Sequence, residues 1–345
     1  MSPKSVPLRK LGKNGPSVPA LGLGTMVMAG VYGTAPTEEE QFQLLDRAAE
    51  LGETFWDTAN IYGDSEEMLG KWFKRTGKRD EIFLATKFGL VMEGVQFRGI
   101  DSTAEYCKQE CEKSLKKLGI DSIDLYYAHR LNPETPIEET MRALAELKAE
   151  GKINHIGLCE VSSNTLRRAY KIAPVAAVQT EYSAFVREIE TDSGTNVLQT
   201  CRELDVAVVC YSPLGRGLLT GAYMDRESVT GSDDRRATHF PWFSEENMDA
   251  NAKLVNQFKA FANKKGCTSS QLAIAWLLKQ GDDTIPIPGT KRIKYLEENC
   301  GALNIHLTDG EEEEIRKFVE SAEVAGYRSQ PVGKVFAYVE TKEEA

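Results

Sequence analysis

The chain has 345 residues, long enough to bury a large core without disulfides or metals. Acidic residues outnumber basic ones 52 to 42, and the net charge of −10 argues against general affinity for nucleic acid or an anionic membrane surface. A hydrophobic content of 41% with 27% charged residues excludes disorder as the state of the whole chain.

From the N-terminus, short β-rich runs alternate with longer helical patterns. The first strand is expected at Ala20–Gly24. Thr37-Glu38-Glu39-Glu40 then opens a helix with a capping-box pattern, and Gly52 ends it. Strand two is expected at Thr54–Asp57, with a helix from Ser65 to about Lys74. Strand three, Ile82–Lys87, precedes a helix opened by Ser102 or Thr103 and stopped at Gly119. Strand four, Ile123–Ala128, precedes a helix with Pro136 in its first turn and Gly151 at its end. Strand five is Ile153–Leu158, and Asn164 is expected to cap the helix that ends before Pro174. Strand six, Ala176–Gln179, leads to a helix over Asn196–Leu204, and strand seven, Val206–Tyr211, to one over Ser269–Leu278. Strand eight, Thr284–Ile287, is followed by a helix over Lys291–Leu303. These strands are mostly unalternating apolar runs, as parallel strands buried on both faces are.

Eight such units with no break in composition predict one α/β domain spanning residues 1–345, a (β/α)8 TIM barrel. An open doubly wound sheet is the competing architecture. Against it, Gly22-Leu23-Gly24-Thr25-Met26 lacks the third glycine and the immediate helix of a dinucleotide fingerprint. Two segments exceed the barrel plan. Arg216–Met248, a long loop after strand seven, and the tail from Gly326, with Tyr327, Phe336 and Tyr338, are both expected over the C-terminal face. The seven cysteines include no Cys-x-x-Cys. Cys107 and Cys111, four apart on a helix, have no histidine near them in sequence, and all seven read as reduced apolar residues rather than metal ligands. No apolar run reaches the roughly 18 residues that span a bilayer. With no signal-peptide or lipidation pattern at the termini, the expected location is cytoplasmic.

Chemistry-bearing residues gather where strands two, three and four end. Asp57 ends one, Lys87 the next and His129 the third, while Tyr62 lies in the loop after Asp57. Neighbouring strands lie about 4.8 Å apart, so Asp57 and Lys87 at equivalent heights can form an ion pair under Tyr62. An ammonium group beside a phenol favours the phenolate, so the Tyr62 pKa is expected to fall. Such a set suits a reaction that protonates a carbonyl oxygen. Tyr62 gives the proton, Lys87 eases its release, Asp57 holds Lys87 and His129 orients the carbonyl. No side chain supplies hydride, so a nicotinamide would have to.

These residues sit in stretches that resemble the aldo-keto reductase superfamily over roughly residues 7 to 325: Leu21-Gly22-Leu23-Gly24-Thr25-Met26, Phe55-Trp56-Asp57-Thr58-Ala59-Asn60-Ile61-Tyr62-Gly63, Thr86-Lys87, Tyr126-Tyr127-Ala128-His129-Arg130, Val178-Gln179-Thr180-Glu181-Tyr182-Ser183 and Tyr211-Ser212-Pro213-Leu214-Gly215-Arg216-Gly217. The spacing is similar to that of the fungal and plant subgroup of pyridoxal reductase-like and perakine reductase-like enzymes. The resemblance implies a barrel that binds NADPH extended, with Gly24, Thr25, Met26 and Asp57 lining the cofactor at the first two strand ends. It implies a catalytic tetrad of Asp57, Tyr62, Lys87 and His129. It further implies carboxamide contacts from Cys159, Glu160 and Gln179, and stacking of Tyr211 on the nicotinamide. Phosphate contacts fall on Ser212, Leu214, Gly215 and Arg216, and the adenosine end on Gly289, Thr290, Lys291, Lys294, Glu298 and Asn299. Cys159 and Glu160 depart from the Ser and Asn of other branches, which shifts weight onto Gln179. The basic start of the last βα helix, with Lys291, Arg292 and Lys294, favours a 2′-phosphate and so NADPH over NADH.

The expected activity is NADPH-dependent reduction of an aldehyde or ketone. Pocket walls expected from Met26 to Tyr32, Val91 to Phe97 and Pro241-Trp242-Phe243 suit an apolar or aromatic substrate. A non-catalytic NADPH-binding redox sensor or interaction subunit is the alternative, since an intact tetrad does not exclude it. A metal hydrolase on the same barrel would need clustered ligands, and only one of four histidines stands at a strand end.

Overall fold

The computed structural model describes residues 6–13, 15–94, 96–225, 227–229, 234, 236–328 and 336–344. An antiparallel hairpin of β1 (Leu8–Lys10) and β2 (Ser17–Pro19) precedes the first barrel strand, β3 (Leu23–Gly24). β4 (Phe55–Asp57) and β5 (Phe83–Phe88) follow, then a second hairpin of β6 (Leu90–Glu93) and β7 (Gln96–Ile100). The barrel continues with β8 (Ile123–Ala128), β9 (Ile153–Cys159), β10 (Ala177–Glu181), β11 (Ala207–Tyr211) and β12 (Thr284–Pro286). All eight expected strands are present, and their order in the sheet is their order in the chain, every pair parallel.

The sheet closes on itself. The N–H groups of Gly22 and Gly24 donate to the carbonyls of Pro286 (3.0 Å) and Pro288 (3.3 Å), and Gly24 bridges Gly289 in parallel. Both glycines are required by this seam: a Cβ at Gly24 would lie 2.9 Å from the Ile287 carbonyl, and one at Gly289 2.8 Å from that of Gly24. Inside the ring, Phe55, Ala85, Leu125, Tyr127, Cys159, Ala177, Val209 and Ile285 fill the lumen, and Leu11 and Val18 of the first hairpin plug its N-terminal end. The outer strand faces pack against the helices through a larger cluster that holds Trp56, Trp72, Cys107, Cys111, Tyr126 and Trp276. With the lumen plugged below, the C-terminal mouth is where strand-end side chains converge.

Local signals set the helices. Thr37 and Glu40 form the reciprocal capping box at the start of Glu38–Leu51, and Gly52 ends that helix in the left-handed region. Thr103 caps Ala104–Leu118, and Gly119 ends it. Three expectations shift. Ser162, not Asn164, caps Ser163–Ile172, because its hydroxyl accepts from the Thr165 N–H. Pro136 sits at the N-cap of Ile137–Ala149 rather than inside its first turn. The last βα helix starts at Ile293, not Lys291, because Arg292 is extended and its N–H is taken by the Thr290 hydroxyl. The described residues of the long segment after β11 form short turns, among them Gly215–Thr220, Arg236–His239 and Pro241–Phe243, before a 21-residue helix, Glu245–Lys265. That helix and Asp309–Ser321, which opens with a Thr308–Glu311 capping box, were not foreseen. No helix among the described residues is long and apolar enough to cross a membrane.

Candidate active site

β4, β5 and β8 end side by side at the mouth of the barrel. Asp57 and Lys87 are not level, as equivalent heights would require. Ala85 stands opposite Asp57, and Lys87 lies two residues further along its strand, opposite Tyr127. The stagger that closes a barrel offsets neighbouring strands, and the long lysine side chain covers the offset. Its Nζ donates to Asp57 Oδ1 at 2.5 Å and to the Thr58 carbonyl at 2.6 Å. Gln179, at the middle of β10, donates to the other Asp57 oxygen at 2.7 Å. The ion pair is out of water, with Lys87 0% and Asp57 2% exposed.

Tyr62 arrives from the loop after β4, where its N–H donates to the Ala59 carbonyl and its own carbonyl accepts from Ser65. Lys87 Nζ lies 5.0 Å from the centre of its ring. The His129 imidazole meets that ring edge-on, with centroids 5.8 Å apart. The His129 backbone N–H donates to the Phe88 carbonyl at 2.6 Å, while the ring Nδ1, buried, has no partner among the described residues. The structure therefore gathers Asp57, Tyr62, Lys87, His129 and Gln179 within one cluster.

Burial sets the proton states. The Tyr62 pKa goes up, contrary to the expected fall: desolvation of the phenolate outweighs the attraction of Lys87. The phenol is thus protonated at neutral pH. His129 is held well below its ordinary pKa by burial and by the Lys87 and Arg130 charges, so its ring is neutral. Burial pulls the Lys87 pKa down, but the Asp57 carboxylate more than restores it, and the ammonium persists. Burial pushes the Cys159 thiol up to about 12, so it stays protonated.

The other half of the mouth, at β9, β10 and β11, carries a second buried charge cluster. Glu160 follows β9 in the left-handed region at φ 49°, and Glu181 ends β10. Tyr211, ending β11, donates to Glu160 at 2.7 Å. Arg216 donates to Glu181 at 2.8 Å and to the Tyr32 hydroxyl at 3.1 Å. Arg328, from the tail, donates to Glu160 at 2.9 Å and to Glu181 at 3.1 Å. Burial raises the Glu160 pKa, but the Arg328 guanidinium overcomes it and holds the carboxyl down at about 2. Sequence reasoning missed Glu181 and Arg328. The available signal was a carboxylate ending a buried strand, which requires a cation from somewhere.

The remaining expected cofactor residues are spread along the seam. Thr25 is buried, and its hydroxyl donates to the Asp57 carbonyl at 3.0 Å. Met26 begins a turn to Ala29. Ser212, Gly215, Arg216 and Gly217 all have positive φ, so the backbone after β11 winds tightly from Ser212 past Leu214, whose carbonyl accepts from Gly217 and Leu219. Lys291 does not project freely: its Nζ donates to the carbonyls of Tyr32 (2.7 Å) and Thr34 (2.8 Å). Burial, then Arg236, lowers its pKa. Lys294 is exposed, Glu298 half-buried and Asn299 buried. Arg236 lies over the rings of Tyr32 and Tyr223 at 4.4 and 4.2 Å, and Asp234 bridges Tyr32. Of the expected pocket walls, Trp242 and Phe243 are 2% exposed and belong to the core instead, whereas Phe97 stands exposed against Phe336 of the tail. Val95 lies outside the described residues.

Three comparisons bear on this geometry. The model of the aldo/keto reductase family matches residues 20–320. The chain is similar to aldo-keto reductase str7 of Strobilurus tenacellus, at 47% identity over 333 residues, 95% of this chain and 96% of that one. It is 48% identical over 331 residues to aldo-keto reductase yakc of Schizosaccharomyces pombe, named for NADP(+), with 95% of each chain covered. Among solved structures, the glycerol dehydrogenase AKR11B4 from Gluconobacter oxydans superposes with a TM-score of 0.81 at 28% identity, over 94% of this chain and 97% of that one.

Proposed function

The chain belongs to the aldo/keto reductase family and is an oxidoreductase, and from that premise we propose that it reduces an aldehyde or ketone to the alcohol with NADPH, using Tyr62 as the general acid. The observation that carries this reading is the buried Asp57–Lys87 pair beneath the Tyr62 ring, beside a neutral His129. The Tyr62 hydroxyl gives its proton to the carbonyl oxygen. Lys87 stabilises the phenolate left behind, and Asp57, fixed by Gln179, keeps the ammonium in place. A neutral imidazole carries one N–H, which holds the carbonyl oxygen toward Tyr62. When bound, NADPH supplies the hydride.

Buried polar atoms without partners among the described residues, His129 Nδ1, Glu181 Oε1 and Arg216 Nε, fit a mouth built to meet polar groups of a ligand. Cys159, Glu160, Gln179 and Tyr211 would face the nicotinamide. Gly24, Thr25 and Met26, with Ser212, Leu214, Gly215 and Arg216, would border the phosphates. Gly289, Thr290, Lys291, Lys294, Glu298 and Asn299 would hold the adenosine end, where Lys294 is an exposed cation that could meet a 2′-phosphate. The exposed Phe97, edge-on to Phe336 at 5.9 Å, favours an apolar or aromatic carbonyl substrate. Loss of NADPH absorbance with a panel of aldehydes and ketones tests the reading. Turnover with aromatic aldehydes is expected. Tight NADPH binding with no turnover across the panel would refute catalysis and leave a redox sensor.

A further inference from the structure

Glu160 and Glu181 present a physical problem. Both are 1% exposed and their carboxylates share partners, so two negative charges sit together out of water. The barrel and the loop after β11 supply only partial compensation. Arg216 takes Glu181, while Glu160 has three neutral donors, the Tyr211 hydroxyl, the Glu181 N–H at 3.1 Å and the Thr180 hydroxyl at 3.3 Å, with the Arg130 charge acting on it without a hydrogen bond. The cation that spans both carboxylates is Arg328, 5% exposed and reaching Glu160 across 168 positions of sequence. Its Nε also lies 3.3 Å from Glu188.

The tail grips Glu160 a second time, through the backbone. The Val339 N–H donates to the Glu160 carbonyl at 2.8 Å, and the Val339 carbonyl accepts from Ser162 at 3.1 Å. Glu160 needs such support, because its left-handed backbone is unfavourable for a residue with a side chain and persists only where the surroundings fix it. Its own N–H donates to the Gln179 carbonyl at 3.0 Å, and the Gln179 side chain holds Asp57. A continuous line of hydrogen bonds therefore runs from the tail through Glu160 and Gln179 to the ion pair beneath Tyr62.

We propose that Arg328 is a positioning residue of the cofactor site: it clamps Glu160 and Glu181 so that the strand ends facing the nicotinamide keep one geometry, which makes the C-terminal tail part of the active site. This rests on the proposed cofactor reading. Glu160 is faced by Arg328 and Tyr338 from the tail, Tyr211 on β11, Glu181 on β10, Arg130 after β8 and Glu188 beyond β10, with Arg216 behind Glu181. Arg328 outweighs the others as a neutralising charge. Without it, Glu160 loses its ion-pair partner and keeps only the weaker effect of Arg130, so its buried carboxyl takes up a proton more readily as pH falls.

The test is NADPH affinity, read by fluorescence quenching from about pH 6 to about pH 8.5, for wild type, Arg328→Met, Arg328→Lys and the double variant Arg328→Met with Glu160→Gln. Arg328→Met should weaken binding about 10- to 100-fold at the alkaline end, and recover toward acid beyond any change that wild type shows from the 2′-phosphate itself. The double variant removes the unpaired carboxylate along with the guanidinium and should bind with a pH profile as flat as that of wild type, whatever its absolute affinity, which a merely structural lesion would not produce. Arg328→Lys keeps the charge but loses the fork, and should weaken binding several-fold with a wild-type pH profile. Folding is checked by circular dichroism; if Arg328→Met does not fold, Arg328→Lys and the double variant decide. A folded Arg328→Met or Arg328→Lys that binds NADPH like wild type, or a loss whose pH dependence Glu160→Gln does not remove, would overturn the proposal. Absence of NADPH binding by wild type would instead overturn the cofactor reading beneath it.

Discussion

The two halves of the barrel mouth each bury ionised carboxylates, and they neutralise them differently. On the β4–β5–β8 side the cation is Lys87, on the strand next to Asp57 and 30 positions away. On the β9–β10–β11 side Arg216 comes from a loop and Arg328 from the tail. The first arrangement is complete within the barrel. The second exists only when distant segments fold back over it. In the reading proposed above, proton transfer falls on the first side and the nicotinamide contacts on the second.

The sharpest break in the self-contained half is Lys87→Met. It leaves the Asp57 carboxylate buried against Gln179 alone, and losing one partner of a buried pair costs about 3–5 kcal/mol of stability. Turnover should fall by at least about 100-fold, because the phenolate left by Tyr62 loses its neighbouring charge. Chemical denaturation and steady-state rates read the two effects separately.

The tail-dependent half should reveal itself in acid. The Glu160 carboxyl sits at about 2 in the folded protein against an ordinary 4.5, so its stabilisation is present above about pH 4.5 and fades as pH falls toward 2. The difference amounts to roughly 3 kcal/mol at neutral pH. Wild type should therefore lose stability in that window, and Arg328→Met should lose less, which denaturation midpoints at stepped pH will show.

The smallest effect is expected at the adenosine end. Lys291 already holds the carbonyls of Tyr32 and Thr34, so the double change Lys291→Ala and Lys294→Ala should both loosen that loop and remove an exposed cation. NADPH should weaken about tenfold and NADH much less, since a charge-assisted contact to the 2′-phosphate contributes on the order of 1.5–3 kcal/mol. Equal losses for the two cofactors would place the 2′-phosphate elsewhere.

What the sequence made legible follows the same division. The strands, the capping box at Thr37 and the residues ending β4, β5 and β8 are local signals, each written within a few positions. The Asp57–Lys87 offset was not legible, because strand stagger is a property of the closed barrel and not of either strand. Nor was the rise in the Tyr62 pKa, which depends on how completely the loop buries the phenol. Arg328 stood in a tail noticed only for its aromatics, and pairing across 168 positions leaves no periodicity to read. The helix Glu245–Lys265 was not legible because its buried stripe, Met248, Asn251, Val255, Phe258 and Ala262, is interrupted by a polar residue.

The central claim is that Tyr62 supplies the proton. The direct measurement is a single turnover of the NADPH complex with a reactive aldehyde, wild type against Tyr62→Phe, so that product release cannot mask the chemical step. Positioned proton transfer contributes typically about 10²–10⁴-fold, and the variant, which keeps the ring and its packing on His129, should be slower by that factor with NADPH affinity unchanged. Reduction by Tyr62→Phe at close to the wild-type rate would contradict the account and move the acid to another group of the cluster.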